Sequence, residues 1–153
     1  MARNYYSEIH LHAVWHTKLS MPLLTADVEP FTHRYLRQKL INMPGIFVHA
    51  VGGTETHIHV ALTITPTTVI SELIGKLKGA SSHEVNQQLG LTRKLLEWQS
   101  GYGVVSFGTK DLKWVVDYIT NQKEHHAKGT TAARLERIEP DVNEAEAVPR
   151  EAS

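Results

Sequence analysis

The sequence predicts an α+β fold in which helices pack on a small antiparallel sheet. Two segments, residues 5–17 and 53–65, alternate apolar and polar residues as half-buried strands do. Elsewhere apolar residues recur at the spacing of a helix face, and Gly and Pro separate these segments. The predicted order is strand, helix, strand, strand, helix, strand, helix. Its first six elements form the ferredoxin-like arrangement, in which the first and third strands are central neighbours.

The first predicted strand has two contrasting faces, because successive side chains of a strand point to opposite sides. One face consists of Ile9, Leu11, Ala13 and Trp15, and the other of His10, His12, Val14 and His16. The second face is therefore polar and rich in histidine. If the first and third strands are neighbours, it lies beside the polar face of residues 53–65.

The middle of the chain predicts a helix, a hairpin and a second helix. The first helix follows a Pro-containing stretch at residues 20–30, and its apolar residues are Phe31, Tyr35, Leu36, Leu40 and Ile41. Residues 46–51 predict a strand, and Gly52 and Gly53 predict the turn into the third strand. Thr67 is the predicted N-cap of the second helix, which is expected to reach Leu89. The apolar stripe of that helix is Ile70, Leu73, Ile74 and Leu77.

The last part of the chain predicts a short strand, a helix and a tail. Residues 98–108 combine glycines with strand-forming residues, and Thr109 is the predicted cap of the last helix. The apolar stripe of this helix is Leu112, Val115, Val116 and Ile119. From Gly129 the chain turns polar. We therefore expect one domain at residues 1–133 and an acidic, disordered tail at residues 134–153.

The composition limits the class of protein. At 153 residues with 41% hydrophobic content, the chain is long enough for one domain with a core. It has no apolar run of transmembrane length and no signal-peptide pattern, so we expect a cytoplasmic protein with no membrane partner. The absence of cysteine excludes disulfides and thiolate zinc sites. The chain is neutral overall, which permits a nucleic-acid partner without requiring one.

Two histidines, His57 and His59, stand one residue apart in the third strand and share one face. The intervening Ile58 belongs to the opposite, apolar face. At a spacing of roughly 7 Å, the two imidazoles could tilt toward one metal ion. The pair alone is also compatible with two solvent-facing strand histidines.

The last helix adds Tyr118 and Gln122, which are four residues apart and therefore lie on one side of a helix. Two imidazoles and the Gln122 amide oxygen could hold a divalent ion with positions open for a phosphate oxygen and water. A tyrosine can then form a covalent phosphodiester. Because this set lacks a carboxylate and a thiolate, we expect Mg²⁺ or Mn²⁺ bound with modest affinity. Tyr118 alone also fits an amphipathic residue at the core boundary.

With these residues in place, the sequence resembles the HUH superfamily and its single-tyrosine transposases, including the REP-associated tyrosine transposases. His57-Ile58-His59 fits the His-hydrophobe-His signature, and "DYITNQKEHH" is similar to the nucleophile helix. Supporting similarities are "LHAVWHTK", "KLKGASSHEVN" and "WQSGYGVVSF". The resemblance extends from about residue 5 to residue 128.

The resemblance implies roles for four residues. Tyr118 would be the nucleophile, and His57, His59 and Gln122 would be the metal ligands. It also implies a metal-dependent DNA transposase that nicks and rejoins single-stranded DNA at hairpins through a 5′-phosphotyrosine intermediate. Insertion-sequence members pair as dimers whereas REP-associated members are monomers, so a homodimer is expected and a monomer is the alternative.

Residues that could contact DNA are less specific. Basic side chains could neutralise phosphates and aromatic rings could stack on bases, and the candidates are Lys18, Arg34, Lys76, Lys110, Trp98 and Tyr102. Surface lysines also occur simply as solvated positions. His125 and His126, one turn past Gln122, are weaker candidates for contact with DNA or metal. Two alternative functions are a domesticated DNA-hairpin-binding protein without cleavage activity and a small metal hydrolase.

Overall fold

The computed structural model describes residues 4–139. Four strands form one antiparallel sheet in the order β2-β3-β1-β4. The strands are β1 (Ile9–His16), β2 (Phe47–Thr54), β3 (His57–Ile64) and β4 (Gly103–Phe107). The helices are α1 (Val28–Ile41), α2 (Ile70–Gln88), α3 (Leu112–Thr120), α4 (Gln122–Lys128) and α5 (Ala133–Glu136). The predicted α+β, ferredoxin-like fold is confirmed, with the first and third strands at the centre.

Both faces of the sheet are covered. The face of Trp15, Ile58 and Leu62 packs against α1 and α2 in the main core. The opposite face carries Ala50 and Ala61, which pack against the apolar stripe of α3 in a smaller cluster. Because α3 lies on the histidine-bearing face, the polar side chains of that face are enclosed between a sheet and a helix.

The register of the central strands aligns the histidines of β1 with those of β3. His16 is directly opposite His57, and Val14 is directly opposite His59. Directly opposite residues of an antiparallel pair project from the same face. His12 lies two residues before Val14 in β1, so it is a diagonal neighbour of His59 on that face. The sequence-predicted meeting of the two polar faces is confirmed.

The predicted turn at Gly52 and Gly53 is wrong, because both residues lie inside β2 and the turn falls at residues 55–56. A Cβ on Gly52 would lie 2.4 Å from the carbonyl oxygen of Ile119 in α3. A Cβ on Gly53, where φ is 151°, would lie 2.1 Å from the carbonyl oxygen of His57. These glycines allow close backbone approach and do not form the turn.

The predicted last helix is divided in two. The helix α3 ends at Thr120, α4 begins at Gln122, and Asn121 between them has φ −103° and ψ 25°. Tyr118 therefore lies in the last turn of α3, and Gln122 is the first residue of α4. Hydrogen bonds from Asn121 N–H to Asp117 O and from His125 N–H to Asn121 O hold the two helices in near continuity.

Two predicted helix starts also differ from the structure. The helix α1 begins at Val28 and includes Pro30, which was expected to precede it. Proline is tolerated there because the backbone N–H groups of the first turn have no acceptor within the helix. The N-cap of α2 is Val69 and not the predicted Thr67. The Thr67 hydroxyl lies 3.1 Å from the Thr65 hydroxyl.

The predicted domain boundary between residues 133 and 134 falls inside α5. Leu135 of this helix is buried, so residues 134–139 continue the folded domain and do not belong to a disordered tail. The rest of the predicted tail, residues 140–153, lies outside the described residues. Within residues 4–139, none of the helices combines the length and the apolar character needed to cross a membrane.

Candidate metal and nucleophile site

The two histidines of the third strand are buried. Only 3% of His57 and 0% of His59 is exposed, because α3 and α4 cover this end of the sheet. His57 is the first residue of β3, directly after the turn at residues 55–56. The alternative interpretation of two solvent-facing histidines is therefore wrong.

Four side chains converge at this point: His57, His59, His126 and Glu136. One potential ligand atom from each lies within 4.8 Å of the others. The Glu136 carboxylate is 2.9 Å from His59 Nε2 and 3.6 Å from His57 Nε2. It also accepts a hydrogen bond from His126 Nε2 at 2.7 Å. Three imidazoles from β3 and α4 thus surround one carboxylate from α5.

The predicted third ligand, Gln122, lies in the same cluster. Its Oε1 atom is 3.1 Å from His57 Nε2 and 3.0 Å from His126 Nε2. The side chain is buried, with 1% exposed, and its Nε2 atom has no hydrogen-bond partner among residues 4–139. The amide is therefore positioned among the imidazoles, as its spacing from Tyr118 indicated.

The predicted nucleophile, Tyr118, lies beside the cluster. Its ring meets the His59 ring edge-on, with the centroids 6.0 Å apart, and stacks between Trp114 and His125. Its hydroxyl accepts a hydrogen bond of 2.8 Å from the backbone N–H of Ala132. Burial raises the pKa of Tyr118 above its usual value of about 10, so the phenol is protonated at neutral pH.

Burial and charge act in opposite directions on the cluster. Burial lowers the pKa of His59, which favours the neutral imidazole that can act as a ligand. For Glu136, burial alone would raise the pKa, but the nearby imidazoles of His57 and His59 outweigh it and hold the pKa well below the usual range. Neutral imidazoles and an ionised carboxylate are the protonation states that bind a cation.

The spacing of these atoms suits a divalent ion. In an octahedral site with bonds of about 2.1 Å, adjacent ligand atoms lie about 3.0 Å apart. The distances from the Glu136 carboxylate to the three imidazoles range from 2.7 to 3.6 Å. His59 Nε2 and Glu136 Oε2 lie 2.9 Å apart, and both are buried with no other hydrogen-bond partner among residues 4–139. A cation between them would satisfy both atoms.

Two members of the cluster were not assigned to it from the sequence. His126 was only a weaker candidate, although it is four residues after Gln122 and so lies on the same side of α4. Glu136 was assigned to the tail, and no local pattern indicates that α5 folds back on the sheet. Tertiary packing therefore brings a carboxylate, Glu136, to the histidines that were expected to bind a metal without one.

None of the predicted DNA-contacting residues is among the clustered ligand atoms. Lys76 and Lys110 are exposed, Lys18 pairs with Glu97 at 3.4 Å, and Arg34 lines a groove of about 780 Å³ beside α1.

The two aromatic candidates are only partly accessible. Trp98 and Tyr102 pack against the main core, and the Trp98 indole donates a hydrogen bond to Ser81. These contacts occupy part of each ring, and a role in DNA binding stays a prediction for all six residues.

The comparison with known families identifies the chain as a transposase. The family described as "Transposase IS200 like" matches residues 5–122, which include His57, His59, Tyr118 and Gln122. The chain therefore belongs to the IS200-like transposase family, and the family resemblance seen in the sequence is confirmed. His126 and Glu136 lie beyond the matched residues.

Two solved structures share the fold. A presumed transposase from Deinococcus radiodurans R1 is 24% identical with a TM-score of 0.62, covering 80% of this chain and 96% of its own. A REP-associated tyrosine transposase bound to a REP hairpin is 22% identical with a TM-score of 0.56, covering 82% of this chain and 73% of its own. A comparison with curated proteins finds no match.

Proposed function

We propose that this chain is a metal-dependent transposase that nicks and rejoins single-stranded DNA at hairpins through a 5′-phosphotyrosine intermediate. The observation that supports it is the convergence of Tyr118, Gln122 and the His57–His59 pair in one chain. These residues come from β3, α3 and α4, and no local feature of any one element requires them to meet. A small metal hydrolase would not need a tyrosine beside the histidines.

The proposed reaction is a reversible transfer of one phosphodiester bond. The Tyr118 oxygen bonds to phosphorus and loses its proton, while the bond from phosphorus to the 3′ oxygen breaks and that oxygen gains a proton. The 5′ phosphate remains on Tyr118, so the bond energy is preserved and the reverse attack by a 3′ hydroxyl rejoins the strand. Burial keeps the Tyr118 hydroxyl protonated until the phosphate is in place.

The histidine cluster would hold the divalent ion. His57, His59 and Gln122 are the proposed ligands from the family pattern, and His126 and Glu136 add a third imidazole and a carboxylate. Such an ion supplies Lewis-acid polarisation of the phosphate and stabilises its developing charge. Three imidazoles with one carboxylate favour Mn²⁺ over Mg²⁺, because Mg²⁺ prefers oxygen ligands alone.

The proposed partner is a DNA hairpin with single-stranded flanks. The support is the family assignment together with the fold shared with a transposase whose structure contains a REP hairpin. Tyr118 lies beside histidines of its own chain, so the proposed site can be completed in cis. The expected homodimer stays a prediction, together with a cytoplasmic location.

The test is the formation of a covalent protein–DNA adduct. A pool of labelled single strands, each carrying a hairpin with randomised flanks, is incubated with the protein and Mn²⁺ and separated under denaturing conditions. We expect a labelled band at the mass of protein plus cleaved DNA. Tyr118→Phe should lose this band and keep hairpin binding, whereas Tyr35→Phe, a tyrosine of α1 outside the cluster, should keep both.

Two outcomes would contradict the proposal. An adduct that persists in Tyr118→Phe would exclude Tyr118 as the nucleophile. Hairpin binding without an adduct in either Mn²⁺ or Mg²⁺ would favour the hairpin-binding protein without cleavage activity. The hydrogen bond from Ala132 to the Tyr118 hydroxyl is the observation that keeps this second function in consideration, because it occupies the attacking atom.

A further inference from the structure

A third buried histidine, His12, lies behind the site on the neighbouring strand. Its Nε2 atom is 2.7 Å from Nδ1 of His59, and the ring centroids are 4.9 Å apart. Only 1% of His12 and 0% of His59 is exposed. His12 itself does not reach the cluster of ligand atoms, so its contact with the site is made through His59.

The short contact between the two imidazoles requires one proton between them. If His59 Nδ1 carries it, His59 donates to His12 Nε2 and its own Nε2 atom keeps a lone pair. If His12 Nε2 carries it, His59 must be protonated on Nε2 and cannot bind a cation through that atom. The direction of this one hydrogen bond therefore decides whether His59 is a ligand.

A cation bound by His59 Nε2 requires the first arrangement. His12 Nε2 faces His59 Nδ1 at 2.7 Å, and a neutral His12 with its proton on Nδ1 can accept a hydrogen bond from it. A neutral His12 then has only an acceptor at Nε2. On the other side, His59 Nε2 is 2.9 Å from Glu136 Oε2 and is one of the clustered ligand atoms, so a cation bound there requires the Nε2 lone pair and hence a proton on Nδ1.

His57 has a different arrangement at the corresponding atom. Its Nδ1 lies 2.9 Å from the Thr54 hydroxyl and 3.0 Å from the Thr56 hydroxyl. A hydroxyl can donate or accept, so these contacts orient the His57 ring without selecting its tautomer. At the corresponding atom of His59, the partner is the buried imidazole of His12.

We propose that His12 is a positioning residue, which holds His59 in the Nδ1–H tautomer with Nε2 directed at the cation site. This inference rests on the proposed function, since it assigns a use to the metal site. It adds a residue that the His-hydrophobe-His signature does not contain. The His12 ring contacts the His59 ring at Nδ1, and the other nitrogen of the His59 ring is the ligand atom.

The first test measures the tautomer directly in the protein saturated with Zn²⁺, a diamagnetic ion that imidazole and carboxylate ligands also bind. Two-bond ¹H–¹⁵N correlation spectra of ¹⁵N-histidine-labelled protein at about pH 8 distinguish a protonated from an unprotonated ring nitrogen. We expect His59 to be protonated on Nδ1 and His12 to be protonated on Nδ1. A His59 ring protonated on Nε2 would overturn the proposal.

The second test measures Mn²⁺ affinity by calorimetry in three variants. His12→Phe keeps a ring but removes the acceptor, and it should weaken Mn²⁺ binding by about 10-fold to 100-fold. His12→Gln supplies an amide oxygen as acceptor and should recover most of the affinity. The matched control is His10→Phe, on the same face of β1, because His10 bonds to Thr63 and Thr109 and does not contact the cluster.

The outcomes test the role of His12 separately from the proposed transposase function. Unchanged Mn²⁺ affinity in a folded His12→Phe protein overturns the role of His12, even if DNA cleavage is observed. If the unaltered protein binds no Mn²⁺, the proposed function fails, and the tautomer spectrum alone decides the role of His12. If His12→Phe does not fold, the spectrum of the unaltered protein and the affinity of His12→Gln decide it.

Discussion

The Tyr118 hydroxyl accepts a hydrogen bond from the backbone N–H of Ala132, at 2.8 Å. Ala132 immediately precedes α5, the short helix that returns Glu136 to the histidines. One segment of five residues, 132–136, thus contacts both the predicted nucleophile and the proposed metal site. Leu135, which is 3% exposed, anchors this segment on the domain.

Tyr118→Phe should lower the free energy of unfolding by about 1 kcal/mol, because the Ala132 N–H loses its acceptor in a partly buried position. Urea unfolding of the metal-free protein measures the change. Tyr35→Phe, on α1 across the sheet, is the control for removal of a tyrosine hydroxyl. Equal stability of Tyr118→Phe and the unaltered protein would mean that the Ala132 contact does not form in solution.

Glu136→Gln should weaken Mn²⁺ binding on the order of tenfold, because it removes the one carboxylate among the clustered ligand atoms. Titration followed by calorimetry gives the affinity. Glu139→Gln, an exposed residue three positions later, changes the net charge equally and should have little effect. If both variants weaken binding by the same factor, the effect is one of overall charge and Glu136 is not a ligand.

Gly52→Ala should destabilise the protein by several kcal/mol, because the new Cβ would lie 2.4 Å from the Ile119 carbonyl oxygen. The adjacent end of α3 carries Tyr118, so relief of this clash should also displace the nucleophile. Gly79→Ala is the control. Its Cβ would meet no atom within 4 Å inside α2, and the change should stabilise the protein by up to about 1 kcal/mol. Thermal and urea unfolding compare the two, and a neutral Gly52→Ala would contradict the close approach.

The metal-free protein should lose stability in mild acid. Burial lowers the pKa of His12 to about 3 and that of His16 to about 4, whereas an unfolded histidine titrates near about 6.5. Between these values the unfolded chain binds more protons, so the free energy of unfolding is highest above about pH 6.5 and falls as the pH drops toward 4. His12 contributes a slope of at most about 1.4 kcal/mol per pH unit.

Urea unfolding in the presence of a chelator, at several pH values from about 7.5 to 4.5, measures this slope. His12→Gln should reduce it, and His83→Gln, an exposed histidine on α2, should leave it unchanged. A free energy of unfolding that stays constant over this range would show that neither His12 nor His16 remains neutral in the folded protein.

The fold was predictable because its signals are local and periodic. The alternation in β1 and β3 and the apolar stripes of α2 and α3 place the same residues on the same faces as the structure does. One error in the predicted fold arose because glycine occurs both in turns and where two backbone segments approach closely. Gly52 and Gly53 indicated a turn, but they allow α3 and the β2–β3 connection to approach the backbone of β2.

The site was predictable in part for the same reason. His57 and His59 follow the strand period, and Tyr118 and Gln122 follow the helix period, so each pair can be placed on one side of its element. His126 could have been added from its spacing with Gln122. Glu136 could not, because its position depends on a short helix that is anchored by Leu135 and not by any pattern within α5.

By itself, the sequence determined which side chains share a face: the histidines of β1 and of β3, and Tyr118 with Gln122 one turn later. Only the tertiary structure decided that α3 and α4 enclose this face and that Glu136 and His12 stand on either side of His59. The physical reason is that periodicity along a chain defines which way a side chain points. Its partner across space depends on strand register and helix packing, which distant residues determine together.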